Sequence, residues 1–565
     1  MLAVMAGLAW ALAFPKPSLA GLAWVAPGIM LFASIGSRAG VAFRLGYVAG
    51  LVHHLVSLYW LLYIPYLPGA LAGWLTLSAY LALYPAVWVC ACWRVFPGQP
   101  IAPNKLQPPG IPQFLASKWS YRLLWSLGGA LCWVALEMIR ARFLTGFPWN
   151  LLGVSQYQIL PLVQLASVTG VYGISFLIVW SSILLSGAAL LLLKRSAPPN
   201  AFTSPDWSRF ADGPPERWTW LNELILPVLT VTIITAWGLR QITVAPASTP
   251  MLRAALVQPS IPQTLIWNPQ EDANRFEKLI QLSQQALTSP ADLLVWPEAA
   301  VPNLLRYDTN MLAAVAKLAQ THRVWMIVGA DDAEPRSSDG PAKDTVFYNA
   351  SFLVSPTGQL EARYCKQQLV IFGEYIPLQP WLPFLQWFTP VEGGFTPGRH
   401  PVPFHLNRIA ATVLICFEDI FPHLVRRSVQ PDTDFLLNLT NNGWFGESAA
   451  QWQHAVNAVF RAVENHLPLV RCANNGLTCW VDASGRLHDV YFQDSTDIYR
   501  AGFKRVSIPL PLPGTQLPPT FYRRHGDWFG WSCVAIATLI HLPWIWRITK
   551  NRRARSAPSI PATTG

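Results

Sequence analysis

Glu298, Lys366 and Cys416 are the three side chains that together could make a nucleophile without a histidine. Cys416 ends an apolar run, Ile409-Ala-Ala-Thr-Val-Leu-Ile-Cys416, and is followed by Phe417, Glu418 and Asp419. The run reads as a buried strand delivering a thiol to a strand-to-helix turn. A Cys at such a place is most often a small core residue. Here the strand stops at the thiol, so it could reach a cleft, and a helix starting just beyond would favour the thiolate. Glu298 follows Trp296 and Pro297 at another strand end, where a carboxylate could take the thiol proton as general base. Lys366, closing Arg363-Tyr364-Cys365-Lys366, lies among apolar neighbours. A lone Lys ordinarily snorkels to the surface, but a fixed ammonium there could orient Glu298 and stabilise an oxyanion. Glu374 offers a second carboxylate close by in sequence.

The elements that must position these groups belong to two phases. Of 565 residues, 52% are apolar and only 13% charged, against about 25% charged in ordinary globular chains. The deficit is concentrated in 1–240 and 525–546. A spanning helix needs roughly 20 apolar residues, and the candidates are 1–14, 18–36, 41–65, 68–95, 121–140, 161–193, 219–239 and 526–546. The first is read as a retained helix, not a cleaved signal, because no small-residue cleavage site is evident and more spans follow. With the N-terminus inside, fifteen Lys and Arg fall in the inside loops and tail, against Lys16, Arg140 and Arg142 in the short outside loops. That bias places the polar segment outside the cytoplasm. It also accounts for much of the net charge of +11, so no nucleic-acid partner is expected. The organisation expected is a multi-span α-helical membrane domain over 1–245, an α/β extracytoplasmic catalytic domain over 246–512, and a final span with a basic tail over 513–565. Residues 97–118 and 196–217 read as polar, flexible loops.

Cys90, Cys92, Cys132 and Cys533 lie in apolar spans. Cys365, Cys416, Cys472 and Cys479 lie in the exported segment, where compartment permits a disulfide and sequence leaves the pairing open. No metal-ligand spacing appears, so neither metal nor cofactor is expected. The exported segment alternates strand and helix signals: strands at 252–258, 291–296, 324–329, 409–416, 435–439 and 468–471, a hairpin of 346–354 with 359–364, and helices at 272–287, 310–321 and 448–465. Residues 376–391, IPLQPWLPFLQWFTPV, are aromatic and Pro-rich for a loop and read as a membrane-facing arm or lid. Trp267 and Trp444 are candidates to line the same cleft. Glu137 and Arg140, one helical turn apart in a span, read as a pair.

Taken together, Trp296-Pro297-Glu298, Arg363-Tyr364-Cys365-Lys366 with Phe372-Gly373-Glu374-Tyr375, and Cys416-Phe417-Glu418 resemble, in content and order, the carbon–nitrogen hydrolase (nitrilase) superfamily. With the apolar spans, Thr145-Gly-Phe-Pro-Trp149 and Asn441-Asn-Gly-Trp-Phe-Gly446, the chain resembles the apolipoprotein N-acyltransferase family. The resemblance implies a nitrilase-like α-β-β-α sandwich and a catalytic triad of Glu298, Lys366 and Cys416, with Glu374, Glu418, Trp267 and Trp444 as supporting or substrate-binding residues. It implies a multi-pass protein of the bacterial inner membrane with its catalytic domain facing the periplasm. The implied reaction is ping-pong: an acyl chain moves from a phospholipid, phosphatidylethanolamine above all, to a Cys416 thioester, then to the N-terminal amine of a diacylated apolipoprotein. A membrane-tethered amidase or nitrilase using water as acceptor would need the same triad and stays open. So does a transporter or scaffold with a degenerate extracytoplasmic domain, although intact Glu298, Lys366 and Cys416 argue against degeneracy.

Overall fold

The structure, a computed structural model, describes residues 1–97, 110–196, 219–243, 251–266, 268–335, 345–389, 394–493, 495–510 and 518–555. The expected boundaries at 245 and 512, the loop 196–217 apart from its first residue, and Trp267 lie outside these residues.

Among the described residues, five helical stretches are long and apolar enough to cross a membrane: Ala39–Ser57, Leu67–Arg94, Trp119–Arg140, Val171–Lys194 and Trp220–Ile242. The expected spans at 1–14, 18–36 and 526–546 hold the shorter apolar helical stretches Leu2–Leu12, Ala20–Phe32 and Trp528–Leu542. The run 161–193 is not one helix. Two short helices, Leu160–Val163 and Ala166–Thr169, precede Gly170, and the long helix starts at Val171. Gly170 has φ +66°, and a Cβ there would meet the Tyr522 ring at 2.7 Å, so the break is built into the packing. Within the segment read as a loop over 97–118, Ile111–Ala116 is helical.

Twelve strands follow among the described residues: β1 (Met251–Gln258), β2 (Leu293–Val295), β3 (Trp325–Pro335), β4 (Thr345–Val354), β5 (Leu360–Cys365), β6 (Pro403–Leu406), β7 (Ile409–Ile415), β8 (Phe435–Thr440), β9 (Leu469–Ala473), β10 (Cys479–Val481), β11 (Leu487–His488) and β12 (Gly502–Pro509). They form two six-stranded sheets, ordered β12-β1-β2-β3-β4-β5 and β11-β10-β9-β8-β7-β6. Each has a parallel centre, β1-β2-β3 or β7-β8-β9, with antiparallel strands outside it. The parallel strands are continuous apolar runs because both faces are covered. Leu256, Val295 and Ile327 of one sheet pack against Val413, Ile415, Leu437 and Leu439 of the other. Helices Asp272–Ala286 and Thr309–His322 cover the outer face of the first sheet. Helix Ala450–Asn465 covers the second, completing the α-β-β-α order. The strand read at 324–329 continues to Pro335, and β6, β10, β11 and β12 add edges that the apolar pattern does not announce.

Helix Ala450–Asn465 is the junction of the two phases. Its Val456, Val459, Phe460 and Val463 share one core with Leu414 and Leu436 of the second sheet and with Leu152, Val171 and Ile174 of the apolar region. Its polar residues are buried as well and bond across the junction. The side chain of Gln453 accepts from Trp60 and Trp149 at 3.1 and 2.9 Å and donates to Pro15 O, while Glu464 accepts from Val171 N at 3.0 Å.

Candidate active site

Three strand ends converge between the sheets. Glu298 lies just past β2, held by Trp296, whose backbone N–H donates to Ile327 O and whose indole donates to Ser283. The chain can pass there only because residue 329 is glycine: a Cβ on Gly329 would stand 2.1 Å from Pro297 O. Lys366 follows β5 directly, and its N–H donates to Asn349 O at 2.9 Å. Cys416 follows β7 with φ +52°, a left-handed conformation that is costly for a residue with a Cβ and common at functional turns.

The charged groups form one buried network. Lys366 Nζ donates to Glu298 Oε1 at 3.2 Å and to Glu374 Oε1 at 2.8 Å. Asn349 Nδ2 donates to the same two oxygens at 2.9 and 2.8 Å, so it spaces the carboxylates apart. Glu298 Oε2 accepts from Asn441 N at 2.8 Å and Glu374 Oε2 from Val370 N at 2.9 Å. Lys366 is only 1% exposed. Burial opposes its charge, but Glu298 and Glu374 outweigh burial and hold its pKa well above the usual lysine range. The ammonium is therefore permanent. Asp331 stands directly across from Asn349 in the β3–β4 register; burial, then Glu298 and Glu374, raise its pKa to about 7.

The thiol behaves differently from the sequence expectation. A five-residue 3-10 turn, Cys416–Ile420, separates it from the first α-helical residue, Pro422. Burial and then the Glu298 carboxylate push its pKa up to about 12, against the pull of Lys366. The resting group is a thiol, and it needs a base to become a nucleophile.

Behind these residues sit groups that hold the backbone. Glu418 accepts from Ile415 N (2.7 Å), Gln367 N (2.6 Å), Gln368 N (3.1 Å) and the Tyr364 hydroxyl, so it ties the Lys366 strand end to the Cys416 turn. Asp419 pairs with the wholly buried Arg471 and accepts from His454 Nε2 at 2.8 Å. That ring nitrogen and Asn438 Nδ2 also reach Cys416 O, at 3.2 and 2.9 Å. Phe417 packs on Phe147 and Phe421, within a cluster that includes Trp60 and Trp149 from the apolar region. Gln368 Nε2 donates to Thr145 O, bringing the Thr145–Trp149 segment to the Lys366 loop. All eight cysteines are free, and among the described residues no cluster of three His, Cys, Asp or Glu stands ready for a metal ion.

A model of the carbon–nitrogen hydrolase family matches residues 253–499, and one of the apolipoprotein N-acyltransferase N-terminal domain matches 6–184. Apolipoprotein N-acyltransferase of Geobacter metallireducens is 34% identical over 548 residues, covering 96% of this chain and 94% of its own. The chain belongs to the apolipoprotein N-acyltransferase family. The member from Rickettsia prowazekii is 28% identical over 549 residues, 96% of either chain. Among solved structures, an amidase from Nesterenkonia sp. aligns at 17% identity with a TM-score of 0.34, over 46% of this chain and 92% of its own. Family membership and the five long apolar helices fit a multi-pass bacterial membrane protein.

Of the residues expected at an N-acyltransferase site, Glu298, Lys366, Glu374 and Cys416 are brought together, and Glu418 holds two of their turns. Trp444 lies half-buried in the turn Asn442–Phe445, next to the Asn441 that donates to Glu298. Glu137 and Arg140 feel each other's charge but make no direct ion pair: Glu137 accepts from Trp133 and Leu152 N, and Arg140 reaches Asn150 O. Asn349, Asp331 and His454 escaped the sequence reading. A polar Asn inside the apolar run of β4 marks the first as a buried polar group but does not say what it bonds.

Proposed function

We propose that Glu298, Lys366 and Cys416 are the catalytic triad of a two-step acyl transfer that N-acylates lipoproteins, with a membrane phospholipid, phosphatidylethanolamine by preference, as donor. The supporting observation is the buried Lys366 ammonium, shared by Glu298 and Glu374 and acting on the Cys416 thiol. Glu298 takes the Sγ proton, and the thiolate attacks the ester carbonyl of the donor. Lys366 and backbone N–H groups stabilise the oxyanion. The C–O bond breaks, the lysophospholipid alkoxide recovers the proton from Glu298, and a thioester remains. The neutral α-amine of a diacylglyceryl-cysteine then attacks the thioester carbonyl. Glu298 accepts a proton from the amine, the C–S bond breaks, and Cys416 is reprotonated. The aromatic wall around Phe417 and the arm over 376–389 keep water from competing with the amine. The working face is the periplasmic side of the inner membrane, in line with the Lys and Arg bias of the loops.

The test is labelled phosphatidylethanolamine with the full-length protein in detergent. A hydroxylamine-labile label on the protein is expected, absent in Cys416→Ala. Label on that variant would sink the triad assignment. Adding a diacylated lipopeptide should discharge the label onto its amine faster than free fatty acid appears. The reverse order would favour a membrane-tethered amidase.

A further inference from the structure

Two arginine pairs, remote in sequence, meet at one place away from Cys416. Arg426 and Arg427 lie near the end of helix Pro422–Ser428; Arg523 and Arg524 lie in helix Phe521–His525, just before the last apolar helix. Arg426 Nε donates to Arg523 O at 2.9 Å and Nη2 to Arg524 O at 3.2 Å, while Arg523 Nη2 donates to Gln430 O at 2.6 Å. Two guanidinium groups are thus fixed by backbone carbonyls, and Arg427 and Arg524 extend outward, both exposed. The four line a groove of about 380 Å³ whose other walls include Val429 and Pro519. Among the described residues no carboxylate forms an ion pair with any of them. Asp527, close in sequence, is taken by Arg142 and the Tyr522 hydroxyl.

Four like charges repel at this spacing unless an anion sits among them. Guanidinium forks match the oxygens of a phosphate. The level of the groove is marked by Phe521, in the short helix before the apolar one, and by Trp528 and Trp531 at the start of the apolar helix, exposed by 47%, 38% and 53%. Aromatic side chains at a helix end are where headgroups lie, and basic pockets beside membrane helices take anionic headgroups. We propose that this groove binds the phosphate of an anionic phospholipid, of the phosphatidylglycerol class, and so fixes the helix that follows the Cys416 turn to the bilayer surface.

The test is native mass spectrometry of the delipidated full-length protein titrated with phosphatidylglycerol, phosphatidylcholine or inorganic phosphate. One phosphatidylglycerol adduct is expected on the unaltered protein, and about tenfold weaker retention on Arg427→Gln/Arg524→Gln, with no such adduct for phosphatidylcholine. Arg408→Gln/Arg486→Gln, which removes the same charge from other exposed positions, should leave the adduct in place. Unchanged retention in the first double variant, equal loss in the second, or equal uptake of phosphatidylcholine would each overturn the assignment. Uptake of inorganic phosphate without a lipid adduct would make the groove a free-anion site and overturn the lipid assignment too.

Discussion

At rest Cys416 keeps its proton, with a pKa pushed up to about 12 by burial and the charge of Glu298. A free thiol titrates near 8.5. Iodoacetamide should therefore alkylate Cys416 slowly at neutral pH, with a rate that climbs about tenfold per pH unit well past the point where a free thiol levels off. Glu298→Gln removes a charge that disfavours thiolate. It should speed alkylation at fixed pH while abolishing acyl transfer, a split that separates proton acceptor from mere neighbour. Asp331 gives a second pH effect. Its folded pKa of about 7 lies above an unfolded value of ~3.9, so its favourable contribution is complete below ~3.9 and is lost as pH rises through 7. Asp331→Asn should raise the melting temperature at about pH 8 by roughly 2–4 °C and flatten its pH dependence between about 5 and 8, as read by thermal unfolding.

At the level of elements, the geometry of the proposed triad depends on two ties. Gly329→Ala would force Pro297 O and the new Cβ apart, costing about 1–3 kcal/mol. Because Glu298 adjoins that contact, turnover should fall more than stability. Glu418→Gln replaces an acceptor of several N–H groups by an amide that cannot accept them all. An unsatisfied buried donor costs about 1–3 kcal/mol, so transfer should drop at least ~10-fold, with acylation and deacylation slowed together in single-turnover assays. These strands were legible because their apolar runs and stops are written in order along the chain. Asn349 was not: its role arises from register across β4 and β5 with a loop, which no local pattern encodes. His454 was hidden for another reason. Amphipathic reading treats a polar helix face as a wet one, and helix Ala450–Asn465 has no wet face.

At the scale of the molecule, the arm bridges the site and the apolar region. Thr389 Oγ1 donates to Phe372 O beside Glu374, and Trp387 O accepts from the Tyr66 hydroxyl at the head of the helical stretch Leu67–Arg94. Trp381 and Trp387 are 82% and 70% exposed, more than a loop folded onto its own domain would leave them. Trp381→Ser/Trp387→Ser should weaken capture of acyl substrates, raising KM several-fold (~1–2 kcal/mol for two lost aromatic contacts) with a smaller change in kcat, measured in mixed micelles. The doubly buried helix Ala450–Asn465 has a practical corollary. Its outward residues, including Gln453, Arg461 and Glu464, find their partners in the apolar helices and loops or lie buried beneath them. The strand sandwich is thus no portable module: residues 251–510 produced without the rest would bare that face, and a secreted version should elute as aggregate on size exclusion.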